Sequence, residues 1–481
     1  MAVEVPSYDR DVVLRELEKI VGSKNVYADE ADRKVYSTDI YWLPQLYYYY
    51  GLERPLPGFV VLPANREEVS EVLKIANRHR VPVVPWSGGS GVQGGAMPTQ
   101  GCILLDVKRM DRIVEVDDYS LTVTAEAGIV SQDLEWELNK FGYTYGHYPA
   151  SMYSACLGGM LAARSAGVMS TKYGKIEDMV LGLEVILPTG EIIETPVSPR
   201  KTKAIGPDLA QLFIGSEGTL GVITRATLQI HPMPEERRFR AFLFKDLHSG
   251  LEAVRKFLQK GVNPCVVRLY DEVEASKKTK HRTLATGIDV PGSFLVLGFD
   301  GYKELIDLEE KVAVEICLKE GGEDLGSEPG KYWWDHRYDS YYPPSAPAVP
   351  LIFGTIDVAA TFSDLEKVYY AMKKALTENF KGALFTGHFS HWSHTGGMLY
   401  PRFYIQPLDD PEEAAELYRR VWNIGVLTAL RNGAILNDHH GVGVKLARFM
   451  EDQWGPAFKV LKAIKDALDP NHIMNPGKLG L

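Results

Sequence analysis

The chain is short of every feature that would place it in a membrane, in a disulfide framework or on nucleic acid. No run of about 18 apolar residues occurs, the length a membrane-spanning helix needs. Met1 to Arg10 carries no apolar signal segment, and Lys478-Leu479-Gly480-Leu481 is not a peroxisomal address. The four cysteines, Cys102, Cys156, Cys265 and Cys317, have no paired spacing. They read as reduced thiols, which excludes a disulfide frame or zinc knot and leads us to expect a cytoplasmic protein. Positive charge is in deficit: 53 Lys and Arg against 63 Asp and Glu leave a formal charge of −10. No nucleic-acid partner is therefore expected, although a local basic patch around an anionic ligand stays open. Repeats and low-complexity tracts are absent.

What is there is a chain of 481 residues, 45% of them hydrophobic, enough for two or three soluble domains. Val12, Leu14, Leu17, Ile20 and Val21 recur at helical spacing and predict a helix over residues 9–22. The tyrosines Tyr47 to Tyr50 read as a packed or interface segment and hint at a homodimer. From residue 58 strands and helices alternate: strands at Phe59 to Pro63, Val81 to Pro85, Cys102 to Leu105 and Leu121 to Gly128, helices at Glu67 to His79 and Ser131 to Phe141. Two further strand-like runs, Leu181 to Leu187 and Glu191 to Thr195, flank a turn at Pro188-Thr189-Gly190. Pro232-Met233-Pro234 marks a boundary. Beyond it lies a second α+β domain with helices near 247–260, 303–319, 363–379 and 411–432, and a final helix over roughly 452–468.

Three small-residue segments carry the binding chemistry. The first is Pro85-Trp86-Ser87-Gly88-Gly89-Ser90-Gly91-Val92-Gln93-Gly94-Gly95, with five glycines in its last eight positions. Glycine backbones reach positive φ and turn N–H groups inward, which makes a concave site for a diphosphate. A Rossmann loop would run directly into a helix, whereas this one passes through Met97-Pro98-Thr99-Gln100-Gly101 into a strand. The second segment is Pro149-Ala150-Ser151 with Ala155, Cys156 and Leu157-Gly158-Gly159-Met160-Leu161-Ala162-Ala163-Arg164-Ser165-Ala166-Gly167, where small side chains let a helix lie against a flat ligand or another backbone. The third is Gly215-Ser216-Glu217-Gly218-Thr219-Leu220-Gly221-Val222-Ile223-Thr224.

In order and spacing these segments resemble the vanillyl-alcohol-oxidase-like, or PCMH-type, FAD-binding family. The resemblance implies an α+β fold: a two-subdomain FAD-binding domain over 1–233 (core about 55–233), an α+β cap or substrate domain over 234–440, and a segment 441–481 returning to the FAD domain. It implies FAD, with Trp86 to Gly91 on the diphosphate. Pro85, Gln93 and Gly94 belong to the same loop. Ser151, Gly158, Gly159, Arg164, Ser165 and Gly167 are implied to line the flavin and ribityl region, with Pro149, Ala150, Ala155, Cys156, Ala163 and Ala166 beside them. Glu217, Gly218, Gly221, Val222 and Ile223 are implied at the adenosine half, and Asn475 in the closing Asn475-Pro476-Gly477-Lys478-Leu479. The first loop lacks a glycine-glycine-histidine for covalent attachment, so non-covalent FAD is expected; attachment from the cap stays open.

Within that family the second domain resembles the alkyldihydroxyacetonephosphate-synthase branch at Arg268, at Ser390 to Tyr400 and at Asn437-Asp438-His439-His440-Gly441. That resemblance implies acid–base work by Tyr400, His439 and His440 with Asp438 beside them, and support from Arg268. The branch's first histidine is replaced by Asp438, and one extra residue precedes Lys445. Tyr332-Trp333-Trp334-Asp335-His336-Arg337 is closer to the D-2-hydroxy-acid dehydrogenase branch, so Arg337 is a second candidate anion clamp and Trp334 a pocket residue. A histidine titrates near 6.5, and an adjacent carboxylate raises its basicity and sets its tautomer. Were Asp438 to His440 extended, the two histidines would point oppositely. The metal signature of hydroxy-acid dehydrogenases lacks its Gly-Asp-Gly core and its glutamate here, so no metal is expected. His391 and His394 are read as pocket-lining, with a cluster of His388, His391 and His394 left open. The expected activity is oxidation of a hydroxyl group, on a 2-hydroxy acid or an aromatic or other alcohol, with oxygen, a quinone or an electron-transfer protein as acceptor. The alternatives are a synthase-like exchange of acyl for alkyl and a non-catalytic flavin-binding protein.

Overall fold

The computed structural model describes residues 8–199, 204–275, 292–339, 341 and 349–481. Asp9 caps the helix Arg10–Val21 by accepting from the N–H groups of Asp11 and Val12. Asn65 caps Arg66–His79 by accepting from Glu68. Their inward stripes, Val13, Leu17 and Val21 with Val69, Val72, Leu73 and Ala76, close over the first sheet. That sheet runs Val26–Tyr27, Phe59–Val61, Ile103–Asp106, Val83–Trp86. Its last three strands are parallel, and Phe59–Val61 and Ile103–Asp106 are buried throughout, the reason they read as unbroken apolar runs. Val83–Trp86 delivers the glycine-rich loop at its carboxyl end.

A second, antiparallel sheet follows in the order Ile113–Asp117, Thr122–Glu126, Val222–Gln229, Val180–Ile186, Ile192–Glu194. The expected turn at Pro188-Thr189-Gly190 closes the last hairpin, with Gly190 at φ 84°. Between the two central strands in sequence lie the short helix Leu157–Ala163 and the loop that holds Glu217.

The third sheet has eight antiparallel strands and carries the chemistry. Its order is Glu323–Gly326, Glu236–Phe244, Ser293–Gly301, Val266–Tyr270, Leu384–Ser390, Gly396–Ile405, Ile352–Thr355, with Val358–Thr361 also paired to Gly396–Ile405. Leu247–Gln259, Phe362–Asn379 and Pro411–Arg431 contribute to the core on one side, which takes Leu269, Phe389, Leu399 and Phe403. Register decides the other face. Tyr270 pairs with His388, His388 with Tyr400, and Thr386 with Arg402. Because side chains alternate, Arg268, His388, Ser390, Tyr400 and Arg402 all project from this second face.

Two expectations change in detail. The final helix is broken into Met450–Trp454 and Phe458–Leu468, because Gly455 (φ 52°) and Pro456 interrupt the ladder. The tyrosine run is the end of a helix, Trp42–Tyr49, whose Trp42 stacks on Tyr418 at 4.4 Å, while Tyr48 and Tyr49 remain exposed. The terminus then returns to the first sheet: Val83 N–H donates to Ile473 at 2.7 Å, and Asn475 N–H donates to Val83 at 2.8 Å. Among the described residues no helix is long and apolar enough to cross a membrane.

Candidate active site

The three small-residue segments meet at one place. A Cβ on Gly88 would lie 1.9 Å from the Ser154 carbonyl, one on Gly159 2.9 Å from Ser87 Oγ, and one on Gly218 2.7 Å from the Pro85 ring. These close approaches explain the small residues better than flexibility does. Among the described residues, the backbone N–H groups of Ser87 to Gly95 donate no hydrogen bond within the chain. Around them buried polar atoms are also without partners: Gln93 Oε1 and Nε2, Asp39 Oδ2 and Asn475 Oδ1. A row of unsatisfied donors on a half-buried loop is costly unless a polar ligand meets them, and a dinucleotide diphosphate fits that need. The residues therefore suit FAD.

The loop is roofed from two sides. Asn475 Nδ2 donates to Gly95 O at 2.9 Å and to Glu217 O at 2.5 Å, and Lys478 Nζ donates to Met97 O at 2.8 Å. Glu217, at φ 50°, accepts from the N–H groups of Val442 and Gly443. Burial pushes its carboxyl up to about 7 against those two hydrogen bonds. Gly443, at φ 54°, lies so close to the loop that a Cβ would meet Gln93 O at 2.0 Å. Arg164, at φ 54°, is held by Gln211 at 3.1 Å, Ser165 Oγ lies 3.1 Å from His147 Nε2, and Gly167 packs on the Tyr148 backbone. The strand beginning at Val222 and Ile223 follows Gly221, whose Cβ would strike Ile186 O.

Above this roof stands a polar cluster. His440 Nδ1 lies 2.8 Å from Asp357 Oδ1, and His440 Nε2 lies 3.3 Å from Tyr400 Oη. Asp357 Oδ2 also accepts from the N–H groups of Asp438 and His439 at 3.3 and 3.1 Å. Burial raises the Asp357 carboxyl, but His440 and His439 outweigh it and hold it below the usual carboxylate range. Asp438 Oδ2 takes His391 Nδ1 at 2.8 Å and His439 Nδ1 at 3.1 Å, while Oδ1 takes Lys175 Nζ at 2.7 Å. Burial pushes His391, His439 and His440 all below the ordinary imidazole value, so each is neutral at pH 7. His147, buried beside Ser165, is pushed down to about 3 by burial, and among the described residues its Nδ1 has no partner.

A second group adjoins it. Arg268 Nη2 lies 2.7 Å from His388 Nε2, and His388 Nδ1 lies 2.9 Å from Glu274 Oε1. Arg402 Nη1 reaches the same Glu274 oxygen at 3.3 Å. Burial raises Glu274, but Arg402, His388 and Arg268 together hold it at about 2. Tyr400 stacks on His388, centroids 4.6 Å apart, and so joins the two groups. Burial raises the Tyr400 hydroxyl, which keeps it a neutral donor.

The structure thus brings together Arg268, Tyr400, Asp438, His439, His440 and His391. Residues 438–440 are bent rather than extended, so both adjacent histidines reach Asp357 and their rings sit 4.2 Å apart. Arg337 makes no contact with these residues among those described: its guanidinium lies 3.7 Å over the Trp334 ring, and Trp334 packs on Tyr148 and Phe239. His394 is exposed, and among the described residues the ligand atoms of His388, His391 and His394 do not converge as a group. His388 has both ring nitrogens engaged and does not fit as a metal ligand. Ligand atoms do converge in Asp357, His439, His440 and in His391, Asp438, His439, but Lys175 already supplies a cation to Asp438. Asp357, Glu274, His147 and Lys175 escape sequence reasoning because none lies in a motif; Asp357 is 83 residues from the histidine it contacts.

Residues 57–196 match the family described as FAD binding domain, and residues 233–479 match FAD linked oxidases, C-terminal domain. An alkyldihydroxyacetonephosphate synthase of Trypanosoma brucei brucei is 32% identical over 461 residues, covering 89% of this chain and 74% of that protein. The glycolate oxidase subunit GlcD of Bacillus subtilis (strain 168) is 29% identical over 479 residues, covering 97% of this chain and 96% of its own. A solved alkyldihydroxyacetonephosphate synthase superposes with a TM-score of 0.79 at 26% identity, covering 99% of this chain and 86% of that one. With a cradle suited to FAD in the first half and the matching C-terminal domain over more than half of its length, this chain belongs to the FAD-linked oxidase family and is an FAD-dependent enzyme.

Proposed function

We propose that the enzyme oxidises the hydroxyl-bearing carbon of a small anionic substrate, a 2-hydroxy acid or a related alcohol. The observation that carries this reading is the chain from Asp357 through His440 to Tyr400, at 2.8 and 3.3 Å. An ionised Asp357 accepts from Nδ1–H, which leaves the His440 Nε2 lone pair facing the Tyr400 hydroxyl. A neutral, buried imidazole in that tautomer is ready to take a hydroxyl proton, either directly or through Tyr400. Bound FAD supplies the two-electron acceptor. Trp86 to Gly91 hold its diphosphate through backbone N–H groups, and the Leu157–Ala163 segment with Arg164, Ser165 and Gly167 lies along the flavin and ribityl. We place Glu217 as the clip that holds 441–443 over the loop, since its carboxylate faces Val442 and Gly443. The division at 233/234 and 440/441, and the absence of a covalent flavin link, are part of this reading.

The similarity to glycolate oxidase subunit GlcD supports an oxidative role. A second reading, exchange of an acyl for an alkyl group on a phosphate-bearing ketone, is favoured by the 32% identity to the synthase and by Arg268, Tyr400 and His440 lying in one site. Anaerobic mixing with a panel of alcohols and 2-hydroxy acids separates them. Oxidation predicts bleaching of the flavin by at least one compound; exchange predicts no bleaching and turnover of the acylated phosphoketone without any electron acceptor.

A further inference from the structure

The end of the site at Arg268 is built with more order than a single arginine requires. Arg268 reaches His388 Nε2 as a donor, and a guanidinium has no acceptor to offer in return. His388 Nε2 must therefore carry the lone pair, and its proton sits on Nδ1, pointing at Glu274. Three groups from different elements are locked in series: Glu274 on the turn after Val266–Tyr270, His388 on Leu384–Ser390, and Arg268 on Val266–Tyr270. Thr386 Oγ1 and Arg402 Nη1 hold Glu274 from the same sheet face, at 3.2 and 3.3 Å. Asp271 turns to the opposite face, where Tyr369 donates to it at 2.8 Å.

Three polar groups on this face have buried atoms without partners: Arg268 Nε, Arg402 Nε and Ser390 Oγ. Among the described residues, Arg402 reaches Glu274 directly and Arg268 reaches it only through His388, so both guanidinium groups keep a buried Nε–H without a partner. An arrangement of this kind is costly until an anion arrives.

We propose that Glu274 and His388 form a positioning pair that fixes the direction of Arg268, and that Arg268, with Arg402 and Ser390 alongside, seats one anionic group of the substrate, a carboxylate or a phosphate ester. The proposal rests on the reading that the substrate is anionic, but not on the reaction it undergoes. His388 is a positioning residue: it touches Arg268 and Tyr400 and leaves the anion to the guanidinium. It also explains why His388 is not a metal ligand here, since both of its nitrogens are committed to this alignment.

The test uses FAD-loaded enzyme titrated calorimetrically with oxalate and, separately, with inorganic phosphate. His388→Phe retains a ring to stack on Tyr400 and, because His388 is neutral, changes no charge; it removes the acceptor for Arg268 and, with it, the Nδ1–H donor to Glu274. Anion affinity is expected to fall about tenfold or more, the loss of one charge-assisted hydrogen bond. FAD content should be unchanged, and with a reducing substrate KM should rise far more than kcat falls. His388→Gln, whose amide again offers an acceptor and a donor, should recover most of the affinity, and Arg268→Met should lose it altogether. Whichever of the two anions binds identifies the headgroup as carboxylate or phosphate. The proposal is overturned if neither anion binds the unaltered enzyme, or if His388→Phe, or Arg268→Met where the former lacks FAD, binds as the unaltered enzyme does. If no hydroxyl compound bleaches the flavin while anion binding still follows Arg268 and His388, the seat stands and the oxidative reading fails.

Discussion

At the scale of single residues, the site's chemistry turns on Asp357. Its Oδ2 is fixed by two backbone N–H groups, of Asp438 and His439, and its Oδ1 by His440. In Asp357→Asn the remaining oxygen stays with the backbone donors, because only an acceptor satisfies them. The amide nitrogen then faces His440 Nδ1 and forces the proton onto Nε2. The imidazole becomes a donor where a base is needed, and the turnover number should drop by roughly 10²–10⁴-fold while FAD content and overall fold persist. Steady-state rates on any substrate that bleaches the flavin check this. Loss of less than about threefold would remove His440 from proton transfer. Sequence reasoning reached His439, His440, Tyr400 and Arg268 through their motifs, but it assigned the supporting carboxylate to Asp438. The carboxylate under His440 comes from the link between Ile352–Thr355 and Val358–Thr361 and carries no local signature. Asp438 does support histidines, but these are His439 and His391 through Oδ2, while its Oδ1 balances Lys175. Because that ammonium lies 2.7 Å from Asp438, and Asp357 is already taken by His440 and two backbone N–H groups, we expect exhaustive chelation to leave turnover unchanged, with activity and metal content measured on one sample.

At the scale of elements, the segment 438–446 is what closes the glycine-rich loop. Gly443 is required there on two grounds: its φ of 54° and a Cβ that would meet a backbone oxygen 2.0 Å away. No flexible side chain can yield at that contact, so Gly443→Ala must lift the segment. We expect FAD to be lost on gel filtration, read as the ratio of flavin to protein absorbance. The Glu217 clip acts on the same segment and adds a pH dependence with a definite sign. Its folded carboxyl is raised to about 7, above the ordinary value of 4.5, so folding favours the protonated form. The associated stability is present below the unfolded value and is lost as pH rises through about 7. Glu217→Gln stays neutral throughout. The Tm of unaltered enzyme minus that of Glu217→Gln should therefore decline from about pH 5 to pH 8, and a flat difference would show that Glu217 does not titrate in that window. Of these features the glycine spacing was legible in the sequence. The partner was not, since Glu217 and Val442 are 225 residues apart and their contact depends on how three sheets are assembled.

At the scale of the whole molecule, residues 474–475 hold the first sheet and the glycine-rich loop together. The residue alternation that reveals individual strands is local, whereas this closure is not: Met474 bridges Val83, and Asn475 ties Gly95 to Glu217. A closing Asn-Pro-Gly-Lys suggests a return to the FAD domain only through resemblance; the physical reason is in the buried donors. Asn475 adopts φ 40°, a left-handed conformation that asparagine tolerates better than most residues, and the residue is 1% exposed. Asn475→Ala leaves two carbonyls, one from each side of the FAD cradle, without their donor. Each lost buried hydrogen bond costs about 1–3 kcal/mol, and the left-handed backbone adds to it. Lys478 cannot compensate, being already bound to Met97 O at 2.8 Å. If the terminus serves the cradle, the loss must appear mainly in the FAD-loaded state: Tm should fall several degrees for the holoenzyme and less for the apoprotein, with the FAD dissociation constant rising in step. An equal fall in both forms, with FAD affinity intact, would make Asn475 a fastener of the fold alone.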